Sequence, residues 1–161
     1  MVDKKGYEWK NFFSKNKKRT VFSALKNVVL FENLSSKQVK KIEHIGHLRT
    51  FKDKEVVFYK GDPSYGLFIL LDGKVNVCLS KRHIQEYCPF DYFGEFSLIQ
   101  DSKRTATAIA NGSTKLYYLP STQLKDLFKN DARMGLQIYE RIFETLIRII
   151  KRYDKDSNKK R

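Results

Sequence analysis

Near the middle of the chain, Phe93-Gly94-Glu95-Phe96-Ser97 and Lys103-Arg104-Thr105-Ala106 set a glycine, a carboxylate and an arginine at spacings that suit a phosphorylated sugar. Gly94 lets the backbone approach a ligand closely. Phe96, Leu98 and Ile99 fit one short helical turn whose first N–H groups point outward at an anion. Arg104 supplies a full positive charge, and its planar fork can meet two phosphate oxygens at once. An ionised Glu95 only accepts hydrogen bonds, so it suits a sugar hydroxyl and would repel the phosphate. The two charged residues therefore read opposite ends of one small ligand.

The flanking sequence must hold that stretch in place. Phe22, Leu25, Val28 and Val29 recur at helical spacing over Val21–Phe31. Ser35 reads as an N-cap with Gln38 completing a capping box, and Val39, Ile42 and Ile45 give the next helix its buried face before Gly46. From Leu48 the signal changes to short β segments at regular intervals: Leu48–Lys52, Glu55–Tyr59, Leu67–Leu71, Lys74–Leu79, His83–Tyr87, Thr105–Ile109 and Lys115–Leu119. Val75, Val77 and Leu79 alternate with Lys74, Asn76 and Cys78, as in a strand with one buried face. After Pro120, Ser121 caps a short helix carrying Leu124, Leu127 and Phe128, and a longer helix runs from Ala132 to Tyr153 with a wide apolar stripe. The pattern is α+β: a rolled antiparallel sheet between N-terminal helices and two C-terminal helices.

A length of 161 residues suits one domain that buries a core without staples. The net charge of +14 is concentrated at the ends: residues 1–20 carry seven Lys/Arg against two acids, and residues 151–161 carry six against two. Both ends read as basic tails, 1–20 partly helical because of Tyr7, Trp9, Phe12 and Phe13, and 154–161 as a solvated terminus. Such tails attract nucleic acid, anionic lipid or an acidic partner, or are simply solvated. Cys78 and Cys88 lack metal spacing and the N-terminus lacks an apolar signal region, so both thiols read as reduced and the protein as cytoplasmic. No apolar stretch is long enough to cross a bilayer.

The two triplets, Phe93-Gly94-Glu95 and Arg104-Thr105-Ala106, resemble the phosphate-binding cassette of the cyclic nucleotide-binding domain family, which includes regulatory subunits of cAMP-dependent kinase, cGMP-dependent kinases, nucleotide-gated channels and bacterial catabolite activators. Lys60-Gly61-Asp62-Pro63 and Leu67-Phe68-Ile69-Leu70-Leu71-Asp72-Gly73-Lys74-Val75 resemble the turn and hairpin that precede the cassette in that family, and the likeness spans residues 21–153. It implies a jelly-roll-like β-roll and a ligand site made of Phe93, Gly94, Glu95, Phe96, Ser97, Arg104, Thr105 and Ala106. Arg104 and the amides from Gly94 to Ser97 would hold the cyclic phosphate of cAMP or cGMP, and Glu95 the ribose 2′-hydroxyl. Tyr139 or Phe143 would stack on the base. Thr105 stands where cGMP-dependent kinases carry a threonine that bonds the guanine amino group, yet some cAMP-preferring channels resemble them there; cAMP is slightly favoured.

The resemblance also implies a regulatory domain whose last helix transmits ligand binding to an effector protein, or pairs with its copy in a homodimer. The alternative from another class is a scaffold or protein-interaction domain with a nucleotide-unresponsive roll. A buried arginine facing an empty pocket is costly without a counterion, which argues against that alternative. Rival chemistries lack residues. His44 and His47 lie three apart at a helix end and His83 stands alone, so the paired strand ligands of a metal-binding cupin are missing and no metal is expected. No nucleophile–base arrangement is identifiable, so no enzyme is inferred. Direct DNA binding would need a helix-turn-helix after the long helix, where only Asp154 to Arg161 remain.

Overall fold

The computed structural model describes residues 20–80, 83–100 and 103–158. The aromatic N-terminal segment and the last residues of the C-terminal tail lie outside them. Chain order is α1 (Val21–Leu25), a 3-10 turn (Val29–Phe31), α2 (Ser36–Ile45), β1 (His47–Phe51), β2 (Val56–Phe58), β3 (Gly66–Ser80), β4 (His83–Tyr87), β5 (Tyr92–Phe93), α3 (Phe96–Ile99), β6 (Thr107–Pro120), α4 (Ser121–Asn130) and α5 (Ala132–Asn158). The six strands form one antiparallel sheet in the order β1-β6-β3-β4, with β2 on β6 and β5 on β3.

The local signals behave as their chemistry requires. Ser35 caps α2, its hydroxyl accepting from the Gln38 N–H while the Gln38 side chain accepts from the Ser35 N–H, the reciprocal box expected of that pair. The expected helical piece over Val21–Phe31 divides in two, because after Leu25 the N–H groups of Asn27 and Val28 bond three residues back and the chain tightens into the 3-10 turn. Ser121 does not cap α4. It is the first helical residue, Pro120 takes the cap position, and the buried Ser121 hydroxyl donates to the Tyr65 carbonyl at 3.0 Å. The last helix continues past Tyr153 to Asn158, a stretch with neither glycine nor proline to stop it.

Two pairs of expected short strands, Leu67–Leu71 with Lys74–Leu79 and Thr105–Ile109 with Lys115–Leu119, are instead two long strands. Asp72-Gly73 was expected to turn the chain, yet β3 runs through it, and its register against β6 shifts on both sides of Asp72. Gly73 takes φ +85°, and a Cβ there would lie 2.8 Å from the Thr114 Cα, so the bulge needs glycine. The extra residue inverts the strand. Before it, Leu67, Ile69 and Leu71 face the helices while Phe68 and Leu70 face the roll interior; after it, Val75 and Val77 face the interior. In the same way β6 is continuous across Gly112, which has φ +80°. Thr105 and Ala106 precede β6 rather than opening it.

The result is two cores on opposite faces of β3 and β6. One packs the helices through Leu25, Leu30, Phe31, Val39, Ile42, Leu124, Met134, Ile138 and Ile142 against Leu67, Ile69 and Leu119. The other fills the roll with Phe68, Leu70, Val75, Phe93, Ala108 and Leu116. The cassette residues lie where both cores end: Phe93 belongs to the roll core and Leu98 to the helix core.

Candidate functional site

Between β5 and β6 the chain leaves the sheet, makes the single helical turn α3, and returns through Arg104. Gly94 starts this excursion at φ +81°. A Cβ on Gly94 would fall 2.4 Å from Arg104 Nη1 and 3.3 Å from the Gly66 carbonyl oxygen, so this position needs glycine both for its dihedral and for the approach of the guanidinium. Arg104 is 7% exposed. Its Nη2 donates to the Gly66 carbonyl at 2.8 Å and its Nη1 makes a longer bond of 3.4 Å to the Gly94 carbonyl. The Phe58 and Phe68 ring centroids lie 4.2 and 5.5 Å from its Cζ, completing a cation–π cradle.

Arg104 and Glu95 line one cavity of about 220 Å³. Its cassette wall comprises Phe93, Gly94, Glu95, Phe96, Lys103, Arg104, Thr105 and Ala106; Phe58, Ser64, Val77, Leu79, Gln85, Tyr87 and Leu146 complete the lining. Seven of the eight site residues expected from the sequence thus meet at one surface. Ser97 is the exception. It is fully buried, it does not line the cavity, and its N–H donates to the Gly94 carbonyl at 3.3 Å. Because the turn itself uses that amide, it is not left free for an anion as expected.

The electrostatics follow from burial. Glu95 is 9% exposed, and loss of water pushes its carboxyl above the ordinary value, opposed by its own N–H, by the Arg104 charge and by the Gly94 N–H. Desolvation likewise lowers the Arg104 pKa, against the stabilising fields of Tyr118, Asp62 and Glu95, but a guanidinium does not deprotonate in proteins. A buried cation with its neighbours fixed and a buried acceptor on the same cavity make a site for an anion that also carries a hydroxyl. Lys103, exposed at the rim, adds a second positive charge that the sequence reading had not assigned to the cavity.

Neither Tyr139 nor Phe143, the residues expected to cover the base, lines the cavity in this arrangement. The Tyr139 hydroxyl donates to the Leu98 carbonyl at 3.0 Å and its ring packs edge-on against Phe128. Phe143 is 53% exposed. Leu146 is the α5 residue on the cavity wall. Helix register, which one sequence does not fix, decides between positions three residues apart.

The family model of the cyclic nucleotide-binding domain matches residues 48–131, which include both cassette triplets. The chain belongs to that family. It is 34% identical over 92 residues to a cGMP-dependent protein kinase of Plasmodium berghei (strain Anka), covering 57% of this chain and 11% of that protein. It is 25% identical over 100 residues to a cAMP-dependent protein kinase regulatory subunit of Hypocrea atroviridis, covering 62% of this chain and 22% of that one. The chain therefore spans less than a quarter of the length of either relative. A cyclic nucleotide-binding domain from Methylobacillus flagellatus shares the fold with a TM-score of 0.71 at 23% identity, covering 86% of this chain and 82% of that one. Within this cyclic nucleotide-binding domain no group of three or more potential metal ligands occurs among the described residues, and no described helix is long and apolar enough to cross a membrane.

Proposed function

We propose that this domain binds a cyclic nucleotide in the cavity between the cassette and β3–β4, with the cyclic phosphate on Arg104 and the ribose 2′-hydroxyl on Glu95. The observation that carries this reading is the burial of both charged groups on the wall of one cavity without an ion pair between them. The guanidinium is held by carbonyls and rings and makes no ion pair with Glu95, so an anion would complete its compensation. The purine lies toward Val77, Leu79 and Leu146. That apolar wall favours cAMP, while the Thr105 hydroxyl and the Gln85 amide oxygen are groups at the cavity able to meet a guanine amino group.

Ligand binding is then read out by α5. Leu146 lines the cavity, Tyr139 bonds the end of α3, and the Tyr92 hydroxyl donates to Thr145 Oγ1 at 2.9 Å. A nucleotide that is held better when these contacts are closed shifts the population toward the closed state. The exposed Leu136, Phe143, Ile147 and Ile150 along α5 supply the surface for an effector protein or a second copy. Cys78 and Cys88, half-buried and neither in a disulfide, support a reducing, cytoplasmic setting, and the domain acts by regulation rather than catalysis.

Calorimetric titration with cAMP, cGMP and the open-chain 5′-AMP tests the reading. Saturable binding of a cyclic nucleotide, tighter for cAMP and weak for 5′-AMP, is expected. A folded domain that takes up neither cyclic nucleotide would leave the scaffold role in its place.

A further inference from the structure

Five residues, from Asp62 to Gly66 at the start of β3, wrap around Arg104. At one end the Arg104 N–H donates to the Asp62 carbonyl at 2.7 Å, and at the other the Arg104 Nη2 donates to the Gly66 carbonyl at 2.8 Å. An isolated bridge between Pro63 and Lys103 closes the wrap, and the Ser121 N–H and hydroxyl pin its outer side at the Tyr65 carbonyl. Ser64 sits at the centre of this segment, is 7% exposed and lines the cavity. Its Oγ is buried with no hydrogen-bond partner among the described residues, and the same holds for the Arg104 Nε.

Buried polar atoms without partners are rare in folded proteins, and each one asks for an explanation. Here the residues that carry two of them, Ser64 and Arg104, line one cavity. Nε–H can only donate, and a serine hydroxyl donates by rotating its proton. A need for a small residue does not explain Ser64, since alanine or glycine would fill that role without a polar atom to satisfy. Ser97 makes the contrast: its Oγ is also without a partner, but it does not line the cavity. Two donors, one on the wrap and one on the arginine it holds, match a group with two acceptor oxygens on one atom.

We propose that Ser64 is a further phosphate-binding residue, its hydroxyl donating to one exocyclic oxygen of the cyclic phosphate while the Arg104 Nε–H donates to the other. This assignment rests on the nucleotide-binding reading given above. The wrap prepositions the hydroxyl, so little ordering is needed when the ligand arrives. Because the cyclic phosphate is common to cAMP and cGMP, Ser64 adds affinity for both without choosing between them.

The test is calorimetric titration of the parent domain and Ser64→Ala with cAMP and with cGMP, together with thermal melting of both proteins without nucleotide. The variant is expected to bind both nucleotides about ten- to hundredfold more weakly, the usual weight of a hydrogen bond to a charged group. Its ligand-free melting temperature should be no lower than the parent's, because a buried hydroxyl without a partner has been removed. Affinity within twofold of a binding parent overturns the assignment and leaves the nucleotide reading standing. So does a loss confined to one nucleotide, which would place Ser64 at the base, or a fall in ligand-free stability, which would make its role structural. A parent domain that binds neither nucleotide overturns the functional reading itself and this assignment with it.

Discussion

Nη2 of Arg104 donates to the carbonyl oxygen of Gly66 at 2.8 Å, across the gap between the cassette and the first residue of β3. That bond, with the Phe58 ring 4.2 Å away, fixes the guanidinium before any ligand binds. A charge fixed in advance loses little side-chain freedom on binding, so most of its attraction for an anion appears as affinity.

Arg104→Ala should weaken nucleotide binding by about 2–5 kcal/mol, the range for truncating one member of a buried hydrogen-bonded charge pair. Arg104→Lys keeps the charge but not the fork, and should fall between the two. Equilibrium titration of the folded variants checks both. An Arg104→Ala domain that binds as tightly as the parent would remove the phosphate assignment.

Gly94→Ala places a methyl group 2.4 Å from Arg104 Nη1 at a positive φ, whereas Gly112→Ala meets a similar φ with nothing within 4 Å. Both should lose about 1–2 kcal/mol of stability from the left-handed backbone. Only Gly94→Ala should also lose nucleotide affinity, because only it displaces the guanidinium. Chemical denaturation and titration of the pair separate the two effects.

The chemistry of the site was readable from the sequence where it depended on neighbours in the chain. Gly94, Glu95 and Arg104 meet because the cassette is one continuous excursion, and the Ser35–Gln38 box forms because it is local. Gly73 reads as a turn because glycine serves turns and bulges alike, and only the pairing of β3 with β6 distinguishes them. Ser64 and Leu146 reach the cavity from other elements, and neither residue type carries a signal of its own. The two-residue β5 is too short for any periodicity to reveal.

Burial raises the Glu95 pKa above the ordinary carboxylate value, so the folded domain holds that proton more tightly than the unfolded chain. Ligand-free stability should therefore decline as pH rises from the unfolded carboxylate value through the raised folded one, with the loss complete above it. Glu95→Gln should remove this slope and be the more stable protein at neutral pH, yet bind nucleotide more weakly by about 1–3 kcal/mol. Melting curves across pH and titration with the 2′-deoxy nucleotide check the pair of effects. Parallel pH curves for parent and variant would show that Glu95 is not the titrating group.

Three side chains tie α5 to the site: Leu146 at the cavity, Thr145 to Tyr92, and Tyr139 to the Leu98 carbonyl. Amide hydrogen exchange across Ala132–Tyr153 should slow on adding saturating nucleotide, since closed α5 and bound ligand stabilise one another by linkage. Tyr139→Phe should reduce that slowing. Exchange in α5 indifferent to ligand would make the helix a fixed element and not the readout.

A crystal structure of the domain grown with cAMP bears most directly on the central claim. The nucleotide should occupy the cavity with its cyclic phosphate against Arg104, its 2′-hydroxyl on Glu95 and its purine toward Leu146. A cavity without nucleotide at saturating concentration, or a phosphate placed away from Arg104, would contradict the account.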